Sequence, residues 1–146
     1  MEKERFDRLL QIVSVEDLAK VESKRIIIFG LGGVGGSALE ALVRAGFKHF
    51  TIVDNDVIEI TNLNRQLLAT TKTIGVPKIK VAKDRMLEIN PNCKINVVFA
   101  QVHSKNIEDF NLESFDYIVD AIDSFEDKMA LIVYAVKNKL PIISAM

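Results

Sequence analysis

In Arg25-Ile-Ile-Ile-Phe29-Gly30-Leu-Gly32-Gly33-Val-Gly35-Gly36-Ser-Ala-Leu-Glu-Ala-Leu-Val-Arg-Ala-Gly46, an unbroken apolar run meets a glycine cluster that opens into a helical pattern. An apolar run without alternation marks a strand covered on both faces. Gly30, Gly32, Gly33 and Gly35 permit a tight turn and let phosphate oxygens approach the backbone N–H groups of the following helix N-terminus. Gly46 ends the helical pattern just after its C-cap. Asp54 closes the next apolar run, Phe50-Thr-Ile-Val53, about twenty residues beyond the glycines, where an acidic side chain accepts hydrogen bonds from ribose hydroxyls. Strand, glycine turn, helix and acid together predict a nucleotide site. They do not by themselves separate NAD from ATP.

Outward from this unit, helical and strand patterns alternate. Ser14-Val-Glu-Asp17 reads as a capping box opening a short helix through Lys20. The polar stretch from Asp54 to Pro77 has only fragmentary periodicity, and connections of that length in compact domains are usually functional. A helix is expected over Lys78–Ile89, with Ile79, Ala82, Met86 and Ile89 as its apolar stripe and Pro91 beyond its end. Strands are expected over Lys94–Phe99, Phe115–Val119 and Leu140–Ser144, with a helix over Glu126–Asn138. This alternation predicts an α/β fold: a Rossmann-like, mostly parallel sheet with helices on both faces. No repeat, low-complexity tract or linker divides the chain, so residues 1–146 read as one domain. The last residues, Pro141-Ile-Ile-Ser-Ala-Met146, stop as a strand finishes, whereas ligands in such folds sit beyond the carboxyl ends of strands. A truncated protein or an incomplete reading frame, cut after the fifth strand, is therefore expected.

Bulk properties narrow the function classes. A chain of 146 residues with 49% hydrophobic and 27% charged side chains has enough apolar content for one soluble globular core. A net charge of −1 gives no global attraction to nucleic acid or anionic membrane, so a polyanion would have to meet a local basic patch. The single cysteine, Cys93, excludes an internal disulfide and reads as a bystander thiol in a turn. His49 and His103 lack ligand spacing. The charged start, MEKERFDRLL, is unlike a signal peptide, and no apolar run reaches membrane-spanning length. A cytoplasmic location is expected.

The downstream motifs separate the nucleotides. Asp54-Asn-Asp56 leads into Thr61-Asn-Leu-Asn64-Arg65-Gln66, then Gly75-Val-Pro-Lys78, then Val119-Asp-Ala-Ile-Asp123-Ser124. This ordered set resembles the adenylation domain of the ubiquitin-activating superfamily, over nearly the whole chain. The resemblance implies that ATP activates a carboxyl group. Attack of a carboxylate on the α-phosphorus expels pyrophosphate, and fixed cations with a metal neutralise the charge that builds up. It further implies that Arg65 and Lys78 contact the phosphates, that Asn64 and Gln66 shape that pocket, and that Asp123 holds Mg²⁺ beside Ser124. Asp54 is then the ribose ligand, with Asp56 in the same region. In the superfamily an arginine near the N-terminus reaches into the partner subunit's site; Arg8 matches it best and Arg5 second, which implies a homodimer.

Each residue also has a purely structural reading. Arg65 is a solvated loop charge, Lys78 the first residue of an amphipathic helix, and Asp123 or Ser124 a helix N-cap. Lys78, Lys80, Lys83 and Arg85 put positive charge on one helix, offset by Asp84 and Glu88. Within the superfamily, Asp116-Tyr-Ile-Val-Asp-Ala-Ile-Asp-Ser124, Lys128-Met-Ala-Leu-Ile-Val-Tyr134 and Asn138-Lys-Leu-Pro-Ile-Ile143 resemble the tRNA threonylcarbamoyladenosine dehydratases. That branch implies tRNA as substrate and a cyclic product formed with loss of water. Ser14 departs from the family, which carries glycine there. Two other readings stay open: activation of a ubiquitin-like or sulfur-carrier protein tail, and a non-catalytic nucleotide-binding or dimerisation module.

Overall fold

The computed structural model describes residue 2 and residues 4–145. Met1, Lys3 and Met146, which belong to the polar start and the chain end read above, lie outside the described residues. The strands are β1 (Arg25–Phe29), β2 (His49–Val53), β3 (Lys94–Val98), β4 (Tyr117–Asp120) and β5 (Ile142–Ser144). The helices are α1 (Val15–Ser23), α2 (Gly33–Arg44), α3 (Lys78–Ile89) and α4 (Phe125–Lys137).

All four strand pairings are parallel, in the order β3-β2-β1-β4-β5. The sheet is thus wholly parallel, as a βαβ chain with helical crossovers requires. Alternate residues of β1 serve opposite faces. Ile26 and Ile28 join Leu39 and Val43 of α2 and Ile79, Ala82 and Met86 of α3 in one core. Ile27 and Phe29 join Ile118, Leu131 and Ala135 in a second core beneath α4. Helices on both faces are what the unbroken apolar strands required. On the α2 side, Tyr117 and Ile143 remain exposed and border an apolar groove of about 390 Å³ with Ile26, Leu42, Phe47 and Val119.

Local signals explain most boundaries. Gly46 stops α2 as expected: its N–H donates to Val43 O at 3.2 Å, and Phe47 N–H to Leu42 O at 3.1 Å. Ser14 caps α1 by accepting Asp17 N–H at 3.0 Å. The return half of the expected capping box is missing, because Asp17 instead accepts the Ser14 hydroxyl at 2.9 Å. The helix also runs past Lys20, to Ser23. The fourth strand begins two residues later than expected: Phe115 precedes it, with the Arg25 guanidinium 5.2 Å from its ring. The third strand ends at Val98 and leaves Phe99 exposed. Arg5, the second choice for a reaching arginine, donates to the α3 terminal carbonyl of Ile89 at 2.7 Å. That is a structural role at a helix end.

The polar stretch 54–77 is a closed loop. Val57 and Pro77 form an antiparallel bridge, Ile58 N–H donates to Val76 O at 2.9 Å, and Gly75 N–H donates to Ile58 O at 2.7 Å. Lys78 N–H donates to Asp56 O at 3.0 Å. The loop's neck therefore joins the end of β2 to the start of α3.

Candidate nucleotide site

The chain runs from β1 to β2 and β3 on one side, then returns to β4 and β5 on the other. The crevice beyond the carboxyl ends of β1 and β4 lies at that change of direction, where open α/β sheets bind ligands. A cavity of about 260 Å³ opens there. Its walls include Gly30, Gly32, Asp54, Asp56, Lys78, Asp123 and Ser124, together with Gln101 and Asp127.

The glycine loop is shaped by contact as well as by dihedral. Gly30 has φ of +93°, and a Cβ on it would lie 2.4 Å from Ala121 O. A Cβ on Gly35 would lie 1.8 Å from Gly30 O. Both positions exclude any side chain. Gly32 is the N-cap of α2 without a capping side chain, so the first N–H groups of α2 have no side-chain acceptor there. Such a helix start attracts anions.

Asp54 is almost fully buried, and each of its carboxylate oxygens accepts a backbone N–H at 2.7 Å, from Leu31 and from Asp56. It thereby ties the glycine loop to the end of β2. Burial raises its pKa above the ordinary carboxylate value, while those two N–H donors pull the other way. Asp54 thus fixes the loop besides lining the cavity, a role the sequence reading did not give it. Lys78 is likewise buried, with Nζ 3.7 Å from Asp56 Oδ2. The neck of the loop brings Lys78 to Asp54 and Asp56 although the whole loop separates them in sequence.

Asp123 and Ser124 line the cavity with exposed side chains that make no hydrogen bond or ion pair among the described residues. Ser124 is the N-cap of α4 by backbone position, but its hydroxyl does not cap. The capping alternative for these two side chains is therefore not realised. Gly33, Gly35, Asn64, Arg65, Gln66 and Arg8 are not cavity walls. Arg65 is exposed and donates at 2.9 Å both to Thr61 O and to Asn64 Oδ1. Its segment still abuts the glycine loop: a Cβ on Gly33 would lie 3.5 Å from Arg65 O, and one on Gly32 3.7 Å from Gln66 Nε2. Gln66 is buried with its Oε1 unpartnered. Arg8 is exposed and carries no side-chain capping bond.

Two groups of residues escaped the sequence reading. Gln101 donates to Asp127 and accepts from Asn55 at 3.4 Å, closing one wall of the cavity. Asp120, fully buried at the end of β4, accepts Lys128 Nζ at 2.6 Å. A signal for the second existed: Lys128 shares the stripe of Leu131 and Ala135 on α4, and a charge on a buried stripe needs a buried partner.

Elsewhere the chemistry is quiet. Burial raises the Cys93 pKa, which suits an inert thiol. The basic face of α3 is partly neutralised, since Lys80 pairs with Asp84 and Arg85 with Glu40. Among the described residues no group of three or more His, Cys, Asp or Glu is placed to hold a metal ion, and no helix is long and apolar enough to cross a membrane.

A model of the ThiF family matches residues 6–146. The chain belongs to the ThiF family. This ThiF-family chain is 37% identical over 142 residues to the tRNA threonylcarbamoyladenosine dehydratase of Haemophilus influenzae, covering 97% of the chain and 54% of that relative. It superposes with a TM-score of 0.94 on the E. coli tRNA N6-threonylcarbamoyladenosine dehydratase solved in complex with ATP, at 35% identity, covering 97% of this chain and 58% of that one. It is also 36% identical over 117 residues to a probable molybdopterin-synthase adenylyltransferase of Porphyra purpurea, covering 80% of the chain and 30% of that relative. The ThiF-family chain thus spans just over half the length of the dehydratases it matches.

Proposed function

We propose that this chain is the ATP-binding part of an adenylate-forming enzyme that activates the threonylcarbamoyl carboxylate of modified adenosine in tRNA. The observation that carries the reading is the convergence of the glycine loop, Asp54, Asp56, Lys78 and Asp123 on one cavity at the sheet's change of direction. The likeness to a dehydratase solved with ATP supports the choice of nucleotide.

In this reading the ribose lies against Asp54 and Asp56, and the phosphates lie over the start of α2 with Lys78 beside them. A substrate carboxylate oxygen attacks the α-phosphorus, the α–β phosphoanhydride bond breaks, and pyrophosphate leaves. A group within the same threonylcarbamoyl chain then displaces AMP and closes the ring, with net loss of water. Arg65 and Gln66 complete the phosphate pocket once Arg65 exchanges its bonds to Thr61 and Asn64 for phosphate. Asp123 offers a free carboxylate of the kind Mg²⁺ takes, and a hard ion held there would need oxygen ligands besides this one. Mg²⁺ would neutralise charge on the leaving phosphates. Arg8 acts across a homodimer, in the cytoplasm.

The test supplies the protein with ATP, Mg²⁺ and tRNA carrying threonylcarbamoyladenosine, then digests the tRNA to nucleosides for mass spectrometry. ATP-dependent loss of one water is expected. The Porphyra purpurea relative favours a second reading, adenylation of a carrier-protein tail, by the same chemistry. ATP–pyrophosphate exchange that needs a carrier protein and ignores tRNA would select it. ATP binding without any pyrophosphate release would leave a non-catalytic module.

A further inference from the structure

We infer that Lys128 is a positioning residue for Asp123, acting through Asp120 and the turn 121–124. The inference rests on the reading of Asp123 as the Mg²⁺ ligand and extends it. Lys128 Nζ donates to Asp120 Oδ2 at 2.6 Å, to Ala145 O at 2.9 Å and to Ser144 Oγ at 3.2 Å. An ammonium has three protons, so its donors are saturated. The Ser144 hydroxyl in turn donates to Asp120 Oδ2 at 2.6 Å. The other oxygen, Asp120 Oδ1, accepts Ile122 N–H at 3.0 Å. One buried cation thus locks together the ends of β4 and β5, the start of α4 and the backbone of the turn.

The turn is where this matters. The Asp123 and Ser124 side chains have no partner among the described residues, so the backbone alone decides where they sit. That backbone is held on one side by the bond from Ile122 N–H to Asp120, and on the other by Ala121 N–H donating to Phe29 O at 2.9 Å. A Cβ on Gly30 would lie 2.4 Å from the Ala121 carbonyl oxygen, so the turn packs against the glycine loop. Losing Lys128 leaves the Asp120 carboxylate buried without its counter-charge, and relief of that cost, by movement or protonation of the carboxylate, disturbs the group that holds Ile122 N–H. The turn then shifts, and the Asp123 carboxylate shifts with it. A fixed metal ligand needs such support, and removing groups behind a ligand typically weakens metal binding by about 10–100-fold.

The experiment measures ATP affinity by titration calorimetry across a series of Mg²⁺ concentrations and in EDTA, for the protein and for Lys128→Met, Lys128→Arg and Ser144→Ala. In Lys128→Met, the Mg²⁺ concentration at half effect rises by about ten-fold or more, while ATP affinity in EDTA stays within about two-fold. Lys128→Arg restores most of the loss, and Ser144→Ala shifts the midpoint less, by about three-fold, because Lys128 and Ile122 N–H still hold Asp120. A merely structural pair lowers the melting temperature of these variants and leaves the Mg²⁺ midpoint where it was; that result overturns the inference. Should Lys128→Met fail to fold, an unmoved midpoint in Ser144→Ala overturns it equally. A parent protein that binds no ATP at any Mg²⁺ concentration instead sinks the functional reading beneath it.

Discussion

Lys78 brings its charge into the cavity on a side chain only 7% exposed, and its nearest carboxylate, Asp56, is 3.7 Å away. That distance leaves the ammonium protons for another acceptor, and phosphate oxygens suit them. Because the charge on the leaving phosphates grows only as pyrophosphate departs, Lys78→Ala is expected to lower kcat for adenylate formation by about 10²–10³-fold while changing the KM for ATP by less than about five-fold. ATP–pyrophosphate exchange reads both, and a loss confined to KM would place Lys78 in ground-state binding. Asp54, Asp56, Lys78 and Asp123, grouped in the sequence by the glycine-loop spacing and by the family resemblance, line one cavity. The present partners of Arg65 were not legible, since nothing in a sequence says that its guanidinium turns back onto Thr61 O and Asn64.

Between elements, α2 and α3 are clamped by Glu40, whose carboxylate accepts Arg85 Nε at 2.6 Å and Arg44 Nη2 at 3.0 Å. The Arg85 hydrogen bond, more than that of Arg44, holds the Glu40 carboxyl below its ordinary pKa in spite of burial. A carboxylate with a lowered pKa in the fold stabilises fully above its unfolded value, and that stability is lost as pH falls through the folded value. Both arginines are more than one-third exposed, which trims the gain to about 1–2 kcal/mol. Urea unfolding of Glu40→Gln is therefore expected to show its full deficit near neutrality, shrinking as pH falls through the folded value. A deficit that widens on acidification would contradict the pairing. The helices and first strands were readable because periods of 3.6 and unbroken apolar runs survive without context. The start of β4 was not: Phe115 reads as strand, yet it stacks under Arg25 before the strand begins. Asp120 belongs to that strand only because Lys128, from the following helix, compensates it. The short 3-10 turns at Glu4–Phe6, Leu9–Gln11 and Ile107–Phe110 have no period to read.

Across the molecule, a wholly parallel sheet sends every strand's carboxyl end to one edge, so the walls of the cavity come from the ends of β1, β2 and β4 together with α3. Binding there ties these elements to one another. At one hundred times Kd, ATP with Mg²⁺ is expected to add about 2.7 kcal/mol of stability, raising Tm by about 5–10 °C for a chain of this size. NAD should leave Tm unchanged, and a shift with NAD alone would favour a dehydrogenase. The closed neck at Val57 and Pro77 has a further consequence, for tolerance to insertion. Asp56 and Lys78 are stapled below the loop, and Thr71 and Lys72 are exposed at its far side. A few Gly-Ser residues inserted between Thr71 and Lys72 should cost well under about 1 kcal/mol in loop closure. ATP affinity, read by calorimetry, should be unchanged by that insertion, whereas the same insertion between Asp56 and Val57 should abolish it. In the proposed reading the neck and the segment carrying Arg65 and Gln66 belong to the site, while at exposed Thr71 and Lys72 the chain can lengthen and acquire new surface without reaching the nucleotide.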